Sequence, residues 1–160
     1  MGRRYDVDLT KLALLHMKPI DVLNDRLKGN FISRFSVGDT WELYFGDCWL
    51  SAHNLISSDE SPLNEWLRTN YSPFQKAIDK ENISKCVIVA ALMRKEVISV
   101  ALDEACNLII NFEDNCKLIL PTDTDIVDWQ WSLSEEGSDP YMSYIVACFG
   151  EGEISVSEEK

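Results

Sequence analysis

The spacing of hydrophobic residues changes along the chain, and the changes mark out helices and strands. Apolar residues recur at loose helical spacing over 9–17. Pro19 suits the first turn of a second helix, and Gly29 is a natural end for it. The second helix would bury three residues that share one face: Val22, Leu23 and Leu27.

From Phe31 onward the hydrophobic period changes to two, which is typical of half-buried strands. Alternating runs on either side of Gly46-Asp47 predict a hairpin over 41–53. A similar pair of runs on either side of Glu113-Asp114-Asn115 predicts a second hairpin over 107–120. Further strands are predicted over 97–102, 127–133, 144–149 and 154–156.

The middle of the chain predicts helices. Short helices are expected at 62–67 and 74–78, on either side of Tyr71-Ser72-Pro73. Residues 83–93 are apolar nearly all round, a pattern that fits either a buried helix or a buried strand. The length of this run and its ending in Ala90-Ala91-Leu92-Met93-Arg94-Lys95 favour a helix over 83–94.

These elements predict an α+β fold with a mainly antiparallel sheet of six to eight strands and helices on one face. The 160 residues are expected to form a single domain, with a frayed tail at 157–160. The two hairpins resemble each other at offsets of 67 and 68 residues, and the strands before them at an offset of 66. Two αβββ pseudo-repeats, at 19–60 and 83–133, are therefore one interpretation, and a chance likeness between two hairpins is the other.

The chain is acidic, and its acidity is concentrated in one region. Of the net charge of −12, residues 101–160 supply the equivalent of the whole, with fourteen Asp and Glu against two Lys and Arg. A negative field repels nucleic-acid phosphates and anionic lipid, and it attracts basic proteins. The charge therefore predicts a basic protein partner and argues against nucleic acid and membranes; the alternative is that acidity only keeps the protein soluble.

Cysteine usage and hydropathy predict a cytoplasmic protein. No apolar run reaches the length of a membrane span, and the N-terminus lacks the apolar stretch of a secretory signal. The five cysteines are widely spaced and form no Cys-x-x-Cys pair, so a zinc ribbon or a redox motif is not expected. Gly-rich nucleotide-binding motifs are absent as well, and no cofactor is predicted.

Neither a catalytic nor a metal site is predicted. Asp123, Asp125 and Asp128 begin like a calcium loop, but the Gly at its sixth position and the Glu at its twelfth are missing. The two histidines, His16 and His53, lie far apart and outside metal-ligand spacings.

The segment from Asp128 to Tyr141 joins two tryptophans, Trp129 and Trp131, to four carboxylates. Spacing by two places both indoles on one strand face, which is either core or an aromatic anchor for a partner. The candidate partner-binding residues are the carboxylates of this region and one nearby tyrosine: Asp123, Asp125, Asp128, Glu135, Glu136, Asp139 and Tyr141.

The turns Leu43-Tyr44-Phe45-Gly46-Asp47 and Ile110-Asn111-Phe112-Glu113-Asp114, together with the acidic stretch, resemble the immunity proteins of bacterial polymorphic-toxin and contact-dependent inhibition systems. Small size, acid excess and the absence of a catalytic motif add to the resemblance. It implies a binding protein that blocks a cognate toxin domain, often a basic nuclease. The class shares no common site, so the resemblance assigns no residue a role.

Two alternatives remain open. The first is a small enzyme or ligand-binding protein with a pocket between sheet and helices, using Asp123, Asp125 or His53. The second is a subunit of some other assembly. The oligomeric state is not predicted.

Overall fold

A computed structural model describes residues 17–126, 128–135, 143–150 and 152–157, and it confirms a mixed α+β fold made mostly of sheet. Four α-helices lie within these residues: α1 (Pro19–Leu27), α2 (Glu60–Asn70), α3 (Ser72–Lys76) and α4 (Lys80–Leu92). The strands are β1 (Arg34–Val37), β2 (Trp41–Tyr44), β3 (Cys48–Ala52), β4 (Val97–Leu102), β5 (Leu108–Phe112), β6 (Lys117–Leu120), β7 (Trp131–Glu135), β8 (Tyr144–Cys148) and β9 (Ile154–Val156). The helix expected over 9–17 lies almost entirely outside the described residues, as do 158–160 of the predicted tail.

The strands form two antiparallel sheets. Six of them make one sheet in the order β1-β2-β3-β7-β8-β9, and β4-β5-β6 make a separate sheet of three. Both predicted hairpins are present, as β2–β3 and β5–β6. Gly46 has a φ of +85°, a left-handed conformation that glycine adopts without strain, in the turn between β2 and β3.

The division into two sheets follows from what occupies the edges of the smaller one. On β4, the backbone of Val97 exchanges hydrogen bonds with Gly29 and Asn30, each of 2.8 Å. On β6, Ile119 exchanges hydrogen bonds of 2.8 and 3.0 Å with Ile56. Because the chain itself takes up these edge groups, β4 and β6 do not continue into the larger sheet.

The alternation that predicted the strands matches their burial. Trp41 and Leu43 on β2 are buried, as are Leu108 and Ile110 on β5. Both sheets contribute to one hydrophobic cluster, and α1 adds Val22, Leu23 and Leu27 to it. Helix α1 contacts β4 of the smaller sheet and also β8 and β9 of the larger one.

The apolar run over 83–93 is helical, as expected from its length. Helix α4 begins after Asp79, whose side chain accepts a hydrogen bond of 3.4 Å from the backbone N–H of Asn82. Lys85 on this helix is buried, and its Nζ lies 2.8 Å from Oε1 of Glu60 on α2. Its ammonium also donates to the carbonyl of Leu55, so one buried cation joins α4 to α2 and to the segment after β3.

The order of elements repeats along the chain. Helix α1 is followed by the meander β1-β2-β3, and helix α4 is followed by the meander β4-β5-β6.

Within the described residues, no helix is long and apolar enough to cross a membrane.

Candidate partner-binding surface

Three of the predicted site residues lie together in the loop that joins β6 to β7. Asp123, Asp125 and Asp128 are all exposed, while Thr122 before them and Gln130 after them are buried. The predicted strand over 127–133 begins only at Trp131, so these carboxylates stand on a loop and not on a sheet face. Val127 lies outside the described residues.

The buried side chain of Gln130 holds this loop in shape. Its Oε1 accepts hydrogen bonds from the backbone N–H of Thr124 at 3.2 Å and from the Thr124 hydroxyl at 2.5 Å. Its Nε2 donates to the carbonyl of Ile126 at 2.8 Å. Because one amide satisfies groups on both sides of Asp125, the loop is fixed with its carboxylates pointing to solvent.

The same loop is tied to the β4–β5 turn. The Thr122 hydroxyl donates to the carbonyl of Ala105 at 2.8 Å, and its backbone N–H donates to Oδ1 of Asn107 at 2.8 Å. The β8–β9 turn reaches the same place, because the N–H of Gly152 donates to the Ala105 carbonyl at 3.1 Å. Gly152 has a φ of +76°, and a Cβ there would lie 3.9 Å from the carbonyl oxygen of Glu104.

Three loops therefore meet around Ala105, and we call this surface the acidic end. It comprises the described residues of 103–107, 121–130 and 149–153. Its exposed carboxylates are Asp103, Glu104, Asp123, Asp125, Asp128 and Glu153. These three segments contain no Lys or Arg. Like charges held close together raise the local field, so the acidic end attracts cationic groups more strongly than the net charge alone would.

Asp103 differs from the other carboxylates because it has a structural role. Its Oδ2 accepts a hydrogen bond of 2.7 Å from the side-chain amide of Asn107, and its Oδ1 accepts from the backbone N–H groups of Ala105 and Asn107. The side-chain bond from Asn107 lowers the pKa of Asp103 below its usual value. This carboxylate therefore shapes the turn and stays ionised.

An exposed hydrophobic side chain stands among the carboxylates. Ile126 is 45 % exposed and lies between Asp125 and Asp128 in the sequence. Its backbone is held by Gln130, so its position is fixed while its side chain faces solvent. The sequence interpretation overlooked Ile126, although the apolar pair Ile126-Val127 between two aspartates was a visible signal.

The two tryptophans belong to the core. Trp131 is fully buried, and its Nε1 donates a hydrogen bond of 2.9 Å to the carbonyl of Cys106. Trp129 is only 7 % exposed, and its ring packs against His53 with centroids 4.2 Å apart. Neither indole is available as a central anchor for a partner.

Of the remaining predicted residues, Glu135 does not join Asp123, Asp125 and Asp128. Glu135 stands at the far end of β7, roughly 13 Å along the strand from Trp131. There it forms an ion pair of 3.2 Å with Arg26 of α1. Glu136, Asp139 and Tyr141 lie outside the described residues.

Two nucleophilic side chains on β3, Ser51 and Cys48, are engaged or unreactive. The Ser51 hydroxyl donates to Oε2 of Glu42 at 2.5 Å, and no hydrogen bond joins it to His53. Burial raises the pKa of Cys48 to about 11, which keeps its thiol protonated. Burial also lowers the pKa of His53 from 6.5, and its buried Nε2 has no hydrogen-bond partner among the described residues.

Two surface recesses among the described residues are not lined by the residues proposed for ligand binding. One open groove of about 700 Å³ lies between α1 and β4 and is lined by Asp21, Asn24 and Ile98 among others. A second, of about 940 Å³, lies beside the β5–β6 turn. Neither is lined by Asp123, Asp125 or His53.

Among the described residues, no three His, Cys, Asp or Glu side chains are placed so that they could hold a metal ion. Asp123, Asp125 and Asp128 thus form an outward-facing charged surface and not a coordination shell. Comparison of the chain with protein-family models, with curated proteins and with solved structures finds no match.

Proposed function

We propose that this protein is an immunity protein of the bacterial cytoplasm, which neutralises a basic toxin domain of the nuclease type by binding it. The observation that carries the proposal is the acidic end, where three tethered loops present six carboxylates on segments without Lys or Arg. Cofactor and catalytic chemistry play no part in this function.

The physical basis is charge complementarity. A nuclease binds its substrate through Lys and Arg contacts to phosphates, so its groove is electropositive. A rigid acidic surface competes for that groove and speeds the encounter between the two proteins. The same field keeps the protein from binding nucleic acid or anionic membranes itself.

The shape of the acidic end suits a protein partner better than a small cation. Carboxylates form a charged rim, and Ile126 supplies an apolar contact at a fixed position within it. Protein interfaces commonly combine an apolar anchor with a polar rim, since the rim excludes water from the anchor. We therefore expect the partner to present an apolar recess surrounded by Lys and Arg.

The proposal is tested by co-expression with the C-terminal domain of a neighbouring gene product that is basic and arrests growth. The wild-type protein should restore growth and purify as a complex with that domain. A variant with Asp123→Asn, Asp125→Asn and Asp128→Asn should protect less well at equal expression. If no neighbouring domain is toxic, or if the wild-type protein neither protects nor binds, the proposal is wrong.

A further inference from the structure

His53 links strand β3 of the larger sheet to the acidic end. It directly follows β3, and its backbone N–H donates to the carbonyl of Gln130 at 3.3 Å. Its ring packs against the ring of Trp129, with centroids 4.2 Å apart. Asp128, an exposed carboxylate of the acidic end, is the residue before Trp129. A change in the charge of His53 therefore takes place in the framework that positions this carboxylate.

The imidazole of His53 has one ring nitrogen that its surroundings leave unsatisfied. Its Nε2 is buried, and no described residue forms a hydrogen bond with it. A neutral imidazole uses one nitrogen as donor and the other as acceptor, whereas both nitrogens of an imidazolium are donors. A buried charged donor without an acceptor is costly, so the protonated ring needs an acceptor at Nε2.

Among the charged groups around His53, Asp128 can supply that acceptor. Strand β3 itself carries no charged side chain. On the neighbouring strand β2, the carboxylate of Glu42 already accepts from the hydroxyls of Thr40 and Ser51. In the β6–β7 loop, the Asp128 carboxylate faces solvent. Burial lowers the pKa of His53, and the charge of Asp128 opposes this effect, which places the two groups within electrostatic reach.

We propose that protons regulate the acidic end: when His53 takes up a proton from solvent, its Nε2–H pairs with the carboxylate of Asp128, and binding of a cationic partner weakens. The pairing occupies one of the outward carboxylates and adds a positive charge beside Asp123 and Asp125. Both changes reduce the attraction for Lys and Arg side chains. The inference rests on the proposed function only for the identity of the partner.

Thermodynamic linkage makes the effect reciprocal. A cationic group bound at Asp128 engages the carboxylate that would accept from Nε2–H, so it disfavours the protonated form of His53. Bound partner therefore lowers the pKa of His53, and protonation of His53 lowers the affinity for the partner. Both changes express one coupling free energy.

The test uses hexalysine as the cationic probe and the full chain with His16→Gln, in which His53 is the only histidine left. Proton NMR at low salt follows the imidazole signal through a pH titration, with and without hexalysine. We expect hexalysine to move the titration midpoint of His53 to lower pH. We also expect the affinity for hexalysine to fall about two- to fivefold between about pH 7.5 and about pH 5, as one added charge near the site implies.

Three further variants in the same chain separate this coupling from a change in folding, once equal melting temperatures have been confirmed. His53→Phe keeps a ring beside Trp129 and should remove most of the fall in affinity. Asp128→Asn removes the acceptor, so hexalysine should no longer move the midpoint of His53. Asp47→Asn is the matched control, because it removes the same charge at the opposite end of β3 and should leave the coupling intact.

A His53 midpoint that hexalysine leaves unchanged overturns the proposal, whether or not the peptide binds. An equal fall in affinity in the His53→Phe chain also overturns it, because other groups would then cause the pH dependence. These outcomes are distinct from failure of the proposed function. The coupling to hexalysine can hold when no toxin domain is bound, and a toxin domain can bind at about pH 7.5 when the coupling is absent.

Discussion

At the scale of single residues, two side chains near the acidic end have unusual surroundings. Ile126 is exposed in a loop that its neighbours hold in place, and Nε2 of His53 is buried without a hydrogen-bond partner in the part of the chain that the structure describes. Ile126 therefore allows a prediction about binding, and His53 allows one about the pH dependence of stability.

Ile126→Ser should weaken partner binding with little change in the free energy of unfolding. Losing an apolar anchor raises the dissociation rate, at a cost on the order of 2–4 kcal/mol, because anchors act after the encounter. Ile78→Ser is the matched control, since Ile78 is fully exposed outside the acidic end. Surface plasmon resonance with the toxin domain measures both variants, and equal dissociation rates would exclude Ile126 as an anchor.

His53 should make the protein less stable in mild acid. Burial lowers its pKa in the folded state below 6.5, while Asp128 opposes the shift, so the unfolded chain binds the proton more tightly. Stability is therefore complete above the unfolded pKa and falls as pH drops through 6.5 toward the folded pKa.

The comparison is between two chains that both carry His16→Gln, one with His53 and one with His53→Phe, which keeps a ring beside Trp129. Urea unfolding at about pH 7.5 and about pH 5.5 gives the two free energies for each chain. The chain with His53 should lose more stability between these values. Identical losses would show that His53 titrates as it does in the unfolded chain.

At the scale of elements, the side chain of Asn24 hydrogen-bonds to the edge of β4 in the way that the backbone of a neighbouring strand would. It both donates to and accepts from the backbone of Val100. Asn24→Ala leaves those groups without their partner, and we expect a loss of about 1–3 kcal/mol in the free energy of unfolding. Hydrogen exchange at the Val100 amide should quicken at the same time.

Asp25→Ala, on the exposed side of the same helix, is the control for helix α1. It should change the free energy of unfolding by no more than about 0.5 kcal/mol. If the two substitutions have equal effects, the Asn24 contact does not stabilise the edge of β4.

The sequence allowed most elements to be predicted, because each depends on neighbours along the chain. The hairpins followed from period-two alternation around Gly46-Asp47 and Glu113-Asp114-Asn115, and the buried helix α4 followed from the length of its apolar run. The pairing of β3 with β7 could not be predicted in the same way. The alternation of hydrophobic and polar residues along a strand is the same whichever strand lies beside it. It therefore does not determine which two strands pair.

The candidate site was predicted only in part, for a related reason. Asp123, Asp125 and Asp128 lie within six residues of one another in the sequence, so this local cluster of acidic residues could be recognised from the sequence alone. Glu104 and Glu153 join them only because Thr122 and Gly152 both donate to the carbonyl of Ala105. Such contacts between distant loops leave no periodic signal in the sequence.

At the scale of the whole molecule, the central claim is that the acidic end guides a basic partner. The carboxylates that are exposed elsewhere provide a strict comparison. Asp123→Asn, Asp125→Asn and Asp128→Asn remove the same charge as Asp21→Asn, Asp25→Asn and Asp47→Asn, which lie on α1 and in the β2–β3 turn. The two triple variants share one net charge and differ in where it is lost.

The most direct measurement is the association rate of each triple variant with the toxin domain at low and at high salt, after equal melting temperatures have been confirmed. Changing the acidic end should slow association at low salt and flatten its salt dependence, because charges at the contact steer the encounter. The control variant should stay close to the wild-type protein. If both triple variants associate at the same rate, the acidic end contributes only to net charge, and the partner surface lies elsewhere.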